Sequence, residues 1–159
     1  MRERVAVLGL SLVAALGGLH PAAALAQDTF ELPTAILGPW DTGDGAHVEM
    51  YERDGLYYGK FIHFYDEPPA DGVDAQNPDP DLQGRPLLGA DFILRFRFDG
   101  KKWKDGRIYN PENGKEYKAD LELKDGVLKV RGWLGIRLLG RTVEWTRLHD
   151  ADASGDGGG

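Results

Sequence analysis

The sequence predicts an all-β fold, an eight-stranded antiparallel up-and-down barrel, and three observations support this prediction. Asp-Gly and Asn-Gly dipeptides recur at short intervals after residue 38, and they supply the positive φ angles that tight hairpin turns need. The runs between them have the length of strands and alternate apolar with polar residues. Only one connection is long, whereas a β-sandwich, the alternative fold, usually needs several crossover connections.

The recurring turn dipeptides divide the chain into predicted turns and strands. The predicted turns are Gly43-Asp44-Gly45, Asp54-Gly55, Asp99-Gly100, Asp105-Gly106, Asn113-Gly114 and Asp125-Gly126. The predicted strands lie near residues 37–41, 46–53, 56–65, 92–99, 102–109, 115–124, 127–135 and 139–147.

Alternation decides which side chains are expected to point into the barrel. One strand carries Phe92, Leu94, Phe96 and Phe98 on its apolar face, with Ile93 on the opposite face. The inward sets of the next strands are Tyr117, Ala119, Leu121 and Leu123, then Leu128, Val130 and Leu134, then Leu139, Val143 and Trp145.

The first 26 residues have the organisation of a cleaved signal peptide. Arg2 and Arg4 precede an apolar stretch at 5–19, and Ala24-x-Ala26 supplies the small residues of a cleavage site. That stretch is shorter than the roughly 20 residues that a membrane-spanning helix needs. We therefore expect cleavage before Gln27, a periplasmic or secreted protein, and no integral membrane segment after cleavage.

The remainder is predicted to be one domain. Residues 27–148 are expected to form the barrel, with its core at 36–147. Small and polar residues fill 149–159, which predicts a disordered tail.

Composition excludes several classes of function. With 19 basic and 26 acidic residues the net charge is -7, so we expect neither nucleic acid nor anionic lipid headgroups as the main partner. The chain has no cysteine, and its only serine after residue 26 is Ser154 in the tail, which leaves no serine or cysteine nucleophile. His47, His63 and His149 show no metal-binding spacing. We therefore expect no catalytic residues, no metal and no cofactor; a carboxylate hydrolase, which would need Asp or Glu with a raised pKa in a cleft, stays as an alternative.

Binding is the function that remains. An eight-stranded barrel is either filled by its own side chains or holds one small ligand. The leading prediction is a small apolar or amphipathic ligand, and the alternative is a structural or interaction module of the cell envelope with a filled barrel. The candidate ligand-binding residues are Tyr58, Phe96, Trp103, Tyr117 and Trp145.

The long connection at residues 66–86 is rich in proline and acidic residues. Asn77-Pro78 and Asp79-Pro80 favour a self-packed surface loop, and a lid over one barrel mouth is the alternative. The candidate loop or lid residues are Asn77, Asp79 and Arg85. A calcium loop of the EF-hand type is disfavoured because prolines occupy positions 78 and 80.

Two resemblances follow from short motifs. Gly38-Pro39-Trp40 and Trp145-Thr146-Arg147 resemble the lipocalin and avidin superfamily, in which the tryptophan of a Gly-x-Trp motif closes one barrel end under an arginine of the last strand. This resemblance implies that Trp40 and Arg147 form a barrel-end plug.

The chain also resembles the bacterial family called domain of unknown function 2147 over residues 36–147. The matching motifs are residues 38–45, Asn77-Pro78-Asp79, and residues 85–89, 103–111, 114–117, 128–132, 140–142 and 145–147. The resemblance implies an exported lipocalin-like barrel, and it brings no activity because the family is uncharacterised.

Overall fold

Eight antiparallel strands form a closed barrel in which each strand pairs with its neighbours in the sequence and the last strand pairs with the first. The computed structural model describes residues 32–149. The predicted signal peptide and residues 150–159 of the predicted tail lie outside the described residues. The strands are β1 (Gly38–Asp41), β2 (Ala46–Arg53), β3 (Leu56–Phe64), β4 (Asp91–Phe98), β5 (Trp103–Asn110), β6 (Lys115–Lys124), β7 (Val127–Trp133) and β8 (Arg141–Arg147).

The predicted barrel is therefore confirmed, and the turn chemistry explains why the prediction works. Asp54 and Gly55 have φ angles of 54° and 74°, and Asp125 and Gly126 have 52° and 79°. Two successive positive φ angles are the requirement of the tight hairpin turn that Asp-Gly favours. Four short 3-10 turns complete the structure, at Pro33–Ile36, Pro69–Gly72, Pro80–Leu82 and Arg137–Leu139.

One predicted turn is wrong. Asp105 and Gly106 lie inside β5, where the pairing with β6 shifts register after Trp103, so the dipeptide forms a bulge instead of a hairpin. Asp105 has the positive φ of 60° that the bulge needs. A Cβ on Gly106 would lie 2.2 Å from the ring of Phe96, so the glycine makes room for that ring inside the barrel.

The predicted alternation of β4 is also wrong in part. Arg95 has a φ of 60°, and the pairing of β3 with β4 shifts register twice. These irregularities bring Phe92, Ile93 and Phe96 all into the core, whereas Leu94 is only partly buried. Ile93 therefore faces the core and not the opposite side of the strand.

The last two strands are shorter than predicted. β7 ends at Trp133 and β8 begins at Arg141, with a 3-10 turn at Arg137–Leu139 between them. Leu134 and Leu139, predicted to point inward, therefore lie in the loop and are exposed.

Trp40 and Arg147 close one end of the barrel, which we call the closed end. The Arg147 guanidinium carbon lies 4.0 Å from the centroid of the Trp40 ring. Its Nη1 and Nη2 donate hydrogen bonds to the carbonyl oxygens of Leu37 and Ala35 at 2.8 and 2.5 Å. Trp40 is fully buried, and its Nε1 donates to the carbonyl of Ile36 at 2.9 Å. The plug implied by the Gly-x-Trp resemblance is present.

Gly38 is required by this plug. Its φ of 103° lies where residues with a Cβ are strained, and a Cβ there would lie 3.3 Å from Nη1 of Arg147. The glycine of the Gly-x-Trp motif thus lets the chain turn directly beneath the arginine.

We expect Trp40→Phe to destabilise the protein by about 1–2 kcal/mol more than Trp103→Phe does. Both tryptophans are fully buried and lose the same atoms, but only Trp40 donates a hydrogen bond, worth about 0.5–1.5 kcal/mol, and stacks on an arginine. The Nε1 of Trp103 is buried without a hydrogen-bond partner. Chemical denaturation of the two variants measures the difference, and equal losses would contradict the assigned role of the plug.

Candidate functional site

The half of the barrel opposite the closed end contains a cavity of about 430 Å³. It opens to solvent at the end where the loops β1–β2, β3–β4, β5–β6 and β7–β8 lie, which we call the open end. The volume lies within the roughly 300–1,000 Å³ of ordinary small-molecule sites. Among the apolar residues that line it are Phe61, Phe64, Phe92, Ile108, Val130, Val143 and Trp145.

Aromatic rings from both sides of the barrel line this cavity. The rings of Phe61 and Phe92 are stacked with centroids 3.9 Å apart, and Phe64 lies 5.1 Å from Phe61. Trp145 of β8, on the opposite side of the barrel, lies 6.1 Å from Phe92. All four belong to strands, so the rings are held by the barrel itself and suit an apolar group.

Polar side chains surround the mouth of the cavity. Asp44, Glu67, Glu112 and Arg141 line it together with the ring of Tyr117. The Tyr117 hydroxyl accepts a hydrogen bond of 3.0 Å from Nδ2 of Asn113. The site therefore combines an apolar interior with a charged entrance.

The structure divides the five predicted ligand-binding residues among three places. Tyr117 and Trp145 line the cavity. Phe96 and Trp103 are fully buried outside the cavity, in the filled half near the closed end. Tyr58 lies on the outside of the barrel, away from the cavity.

The register of β3 explains the position of Tyr58. Its neighbour Tyr57 is the buried tyrosine, packed edge-on against Trp103, so alternation turns Tyr58 outward. There Tyr58 stacks on Tyr51 with ring centroids 5.7 Å apart, and Arg53 lies 4.4 Å from its ring. Tyr58 is therefore not a cavity residue.

The β3–β4 link, residues 65–90, packs mainly against the outside of the barrel. Its first part reaches the mouth, where Glu67 and Pro69 line the cavity. Farther along, the link covers Tyr109 of β5. Tyr109 pairs with Glu116 of β6, which is exposed on the outer face of the barrel, but Tyr109 itself is buried because the link lies over it. The link is thus a self-packed loop that contributes two residues to the entrance.

Asp74 organises this link. Its side chain is fully buried, and its carboxylate accepts hydrogen bonds from Nδ2 of Asn77 at 2.7 Å and from the hydroxyl of Tyr109 at 2.5 Å. Arg85 adds an ion pair at 2.8 Å. Asp79, the other predicted loop residue, caps the 3-10 turn that follows by accepting from the amide of Asp81 at 3.0 Å. Asn77, Asp79 and Arg85 therefore all shape the loop.

The contacts of Asp74 shift two pKa values. Burial alone would raise the pKa of Asp74, but hydrogen bonds from Tyr109, Asn77 and Arg85 and the charge of Arg85 lower it below its usual value. Burial, together with the hydrogen bond to Asp74, raises the pKa of Tyr109 to about 12. Asp74 is therefore charged and Tyr109 neutral at neutral pH.

Sequence reasoning missed three residues of this region. Asp74 is one of six acidic residues in the predicted loop, and no pattern distinguishes it from the others. Tyr109 and Arg141 lie within the quoted motifs at 103–111 and 140–142, but alternation gives no reason to single them out.

The described residues include neither a cluster of metal ligands nor a membrane-spanning helix. Between residues 32 and 149, no group of three or more His, Cys, Asp and Glu side chains is placed to hold a metal ion. Within the same range, no helix is long and apolar enough to cross a membrane.

Comparisons with known proteins agree with this architecture. The model of the family described as "Uncharacterized protein conserved in bacteria (DUF2147)" matches residues 38–147. A solved structure of the Helicobacter pylori protein HP1028, described as belonging to the lipocalin family, is similar with a TM-score of 0.67 and 26% identity. The similarity covers 74% of this chain and 85% of that protein. No curated protein matches the chain.

We expect Asp74→Ala to lower the free energy of unfolding by about 3–5 kcal/mol at neutral pH, because it leaves three buried or half-buried donors without their acceptor. Since the pKa of Asp74 is lowered in the folded protein, its stabilisation is present above the ordinary value of 3.8 and is lost as the pH falls further. The variant should therefore lose less stability than the wild type on acidification. Denaturation curves at neutral pH and at a pH below 3.8 test this. Exposed Asp81→Ala, expected to change stability by less than about 0.5 kcal/mol, is the control.

Proposed function

The chain belongs to the bacterial DUF2147 family, whose members are uncharacterised, and we propose from its cavity that it binds a small apolar or amphipathic molecule. The observation that carries the proposal is the aromatic cavity of about 430 Å³ in the open half of a lipocalin-like barrel. An eight-stranded barrel of this kind has room for one small ligand.

The lining of the cavity supports an amphipathic ligand. The apolar part would lie against Phe92 and Trp145, which are buried on the wall of the cavity. A polar head would remain at the mouth, where Asp44, Glu67 and Glu112 can accept hydrogen bonds and Arg141 can donate them. The acidic majority at the entrance favours a head that carries hydrogen-bond donors.

The alternative of a completely filled barrel has less support. Phe96 and Trp103 do fill the half near the closed end, and Gly106 allows the Phe96 ring to occupy the lumen there. Beyond Trp145, however, the lumen is wide enough for a ligand, because Gly132 and Val143 occupy positions where larger side chains would fill it.

The buried carboxylate of Asp74 does not suit the general acid of a carboxylate hydrolase. A general acid needs a raised pKa, whereas Asp74 is paired with Arg85 and its pKa is lowered. Asp74 moreover belongs to the link on the outside of the barrel and does not line the cavity.

We further propose that the protein works outside the cytoplasm. The support is the sequence of residues 1–26, with its two arginines, apolar stretch and Ala24-x-Ala26 site. A carrier of apolar molecules would have a use in the periplasm, an aqueous compartment between two lipid phases.

The ligand proposal predicts that Gly132→Leu weakens binding by about tenfold or more. A Cβ at Gly132 meets only ordinary contacts, the nearest being Cβ of Tyr117 at 3.7 Å, so the leucine enters the cavity without straining the strand. Binding of the amphipathic dye anilinonaphthalenesulfonate, followed by fluorescence, measures the change. Native mass spectrometry of wild-type protein from its own cell envelope identifies the natural ligand.

Lys129→Leu is the matched control, because it adds a leucine to the same strand on its outer face. It should bind the dye as the wild type does. If Gly132→Leu keeps its fold and binds the dye equally well, the cavity is not the binding site.

Export predicts that the protein in the periplasmic fraction begins at Gln27. Fractionation followed by intact-mass measurement tests both location and cleavage. Replacing Arg2 and Arg4 by Glu should reduce export, because the positive charge of the first segment is part of the signal. Full-length protein retained in the cytoplasm would overturn this proposal.

A further inference from the structure

The loop between β7 and β8, residues 134–140, exposes large apolar side chains at the open end of the barrel. Leu134, Ile136, Leu138 and Leu139 are exposed by 50%, 66%, 84% and 76%. They are four of the ten large apolar side chains that are exposed in the part of the chain that the structure describes. Of the other six, at most three belong to any one strand or loop, so this loop carries the largest share.

The loop holds a defined shape while it exposes these residues. The 3-10 turn at Arg137–Leu139 is closed by backbone hydrogen bonds from Leu139 to Ile136 and from Gly140 to Arg137, both 3.1 Å. Arg131 of β7 donates to the carbonyl of Arg137 at 3.0 Å. Arg137 lies over the ring of Trp133 at 5.2 Å. The leucines are thus held away from the core by specific contacts.

The β7–β8 segment itself is basic, opposite to the charge of the protein. The chain has a net charge of -7, and the other three loops of the open end carry Asp44, Glu67 and Glu112 at the mouth, yet residues 131–143 contain three arginines and no acidic residue. Asp120 forms an ion pair with Arg137. Lys118 of β6, which pairs with Trp133 of β7, adds a further positive charge beside the loop. The exposed apolar side chains are therefore bordered by basic side chains.

We propose that the β7–β8 loop docks the protein on a bilayer that contains anionic phospholipid. Exposed leucine and isoleucine side chains on a loop can enter the boundary between headgroups and acyl chains, and neighbouring arginines attract anionic headgroups. Four side chains on a single short loop suit a soft lipid surface better than a stable protein interface, which takes about 20–30 residues a side. Arg141 and Val143, which line the cavity, follow the loop in the sequence. Docking thus brings the Arg141 side of the cavity mouth to the membrane surface.

The test is sedimentation with vesicles of phosphatidylcholine, with and without phosphatidylglycerol. The wild-type protein and the double variant Leu138→Ser/Leu139→Ser are purified in the form that the cell produces, with identical amino termini confirmed by mass. We expect the wild type to bind the phosphatidylglycerol vesicles, less so at high salt, and the variant to bind about tenfold more weakly or worse. Because both side chains are exposed, the variant should melt at the wild-type temperature.

Leu32→Ser/Leu88→Ser is the matched control, since it removes two exposed leucines elsewhere and should bind vesicles as the wild type does. Equal binding by Leu138→Ser/Leu139→Ser and the wild type, or no binding by either, overturns the proposal. So does self-association in analytical ultracentrifugation that the loop variant abolishes without any vesicle binding, because the loop would then join two copies of the chain. Vesicle binding is measured without ligand, so its outcome is independent of whether the cavity is occupied.

Discussion

The contact between Arg147 and Trp40 holds the barrel closed. β1 and β8 pair through only two residue pairs, Trp40 with Arg147 and Asp41 with Thr146. Two pairs form a weak ladder, so the guanidinium stacked on Trp40 and bonded to the carbonyls of Ala35 and Leu37 joins the two ends of the sheet. The filled lumen, the cavity and the positions of all the loops depend on this closure.

Tight packing near the closed end allows the other half of the barrel to contain a cavity. Large rings such as those of Trp103 and Phe96 concentrate the core near the plug, and the bulge at Gly106 admits the Phe96 ring. Because the closed half is filled by fully buried rings, the other half can leave space for a ligand without loss of the fold. Functional groups on rigid strands next to a well-packed core are positioned accurately without help from flexible loops.

Local chemistry explains how much of this fold could be predicted from the sequence. Asp-Gly turns and regular alternation located all eight strands, since both act between residues close in the chain. The bulges escaped prediction, because Arg95 has a positive φ that its own side chain does not favour and only the packing of β3 and β4 imposes. Alternation predicts that Tyr117 and Trp145 point into the barrel, where they line the cavity. Asp74 can be recognised only through Tyr109, Asn77 and Arg85, which folding brings to it.

The order of the strands also determines when the barrel can close. Seven of its eight pairings join consecutive strands and can form as soon as both are available. The eighth joins Arg147 to Trp40 and Thr146 to Asp41, and the Arg147 side chain also bonds carbonyls 110 and 112 positions earlier. It therefore carries the largest loop-closure entropy and needs the strands at both ends of the barrel. Until β8 docks, Arg147 does not cover Trp40, and both edges of the seven-stranded sheet stay unpaired. Unpaired strand edges favour aggregation, so the species that lacks only β8 is the one most prone to aggregate.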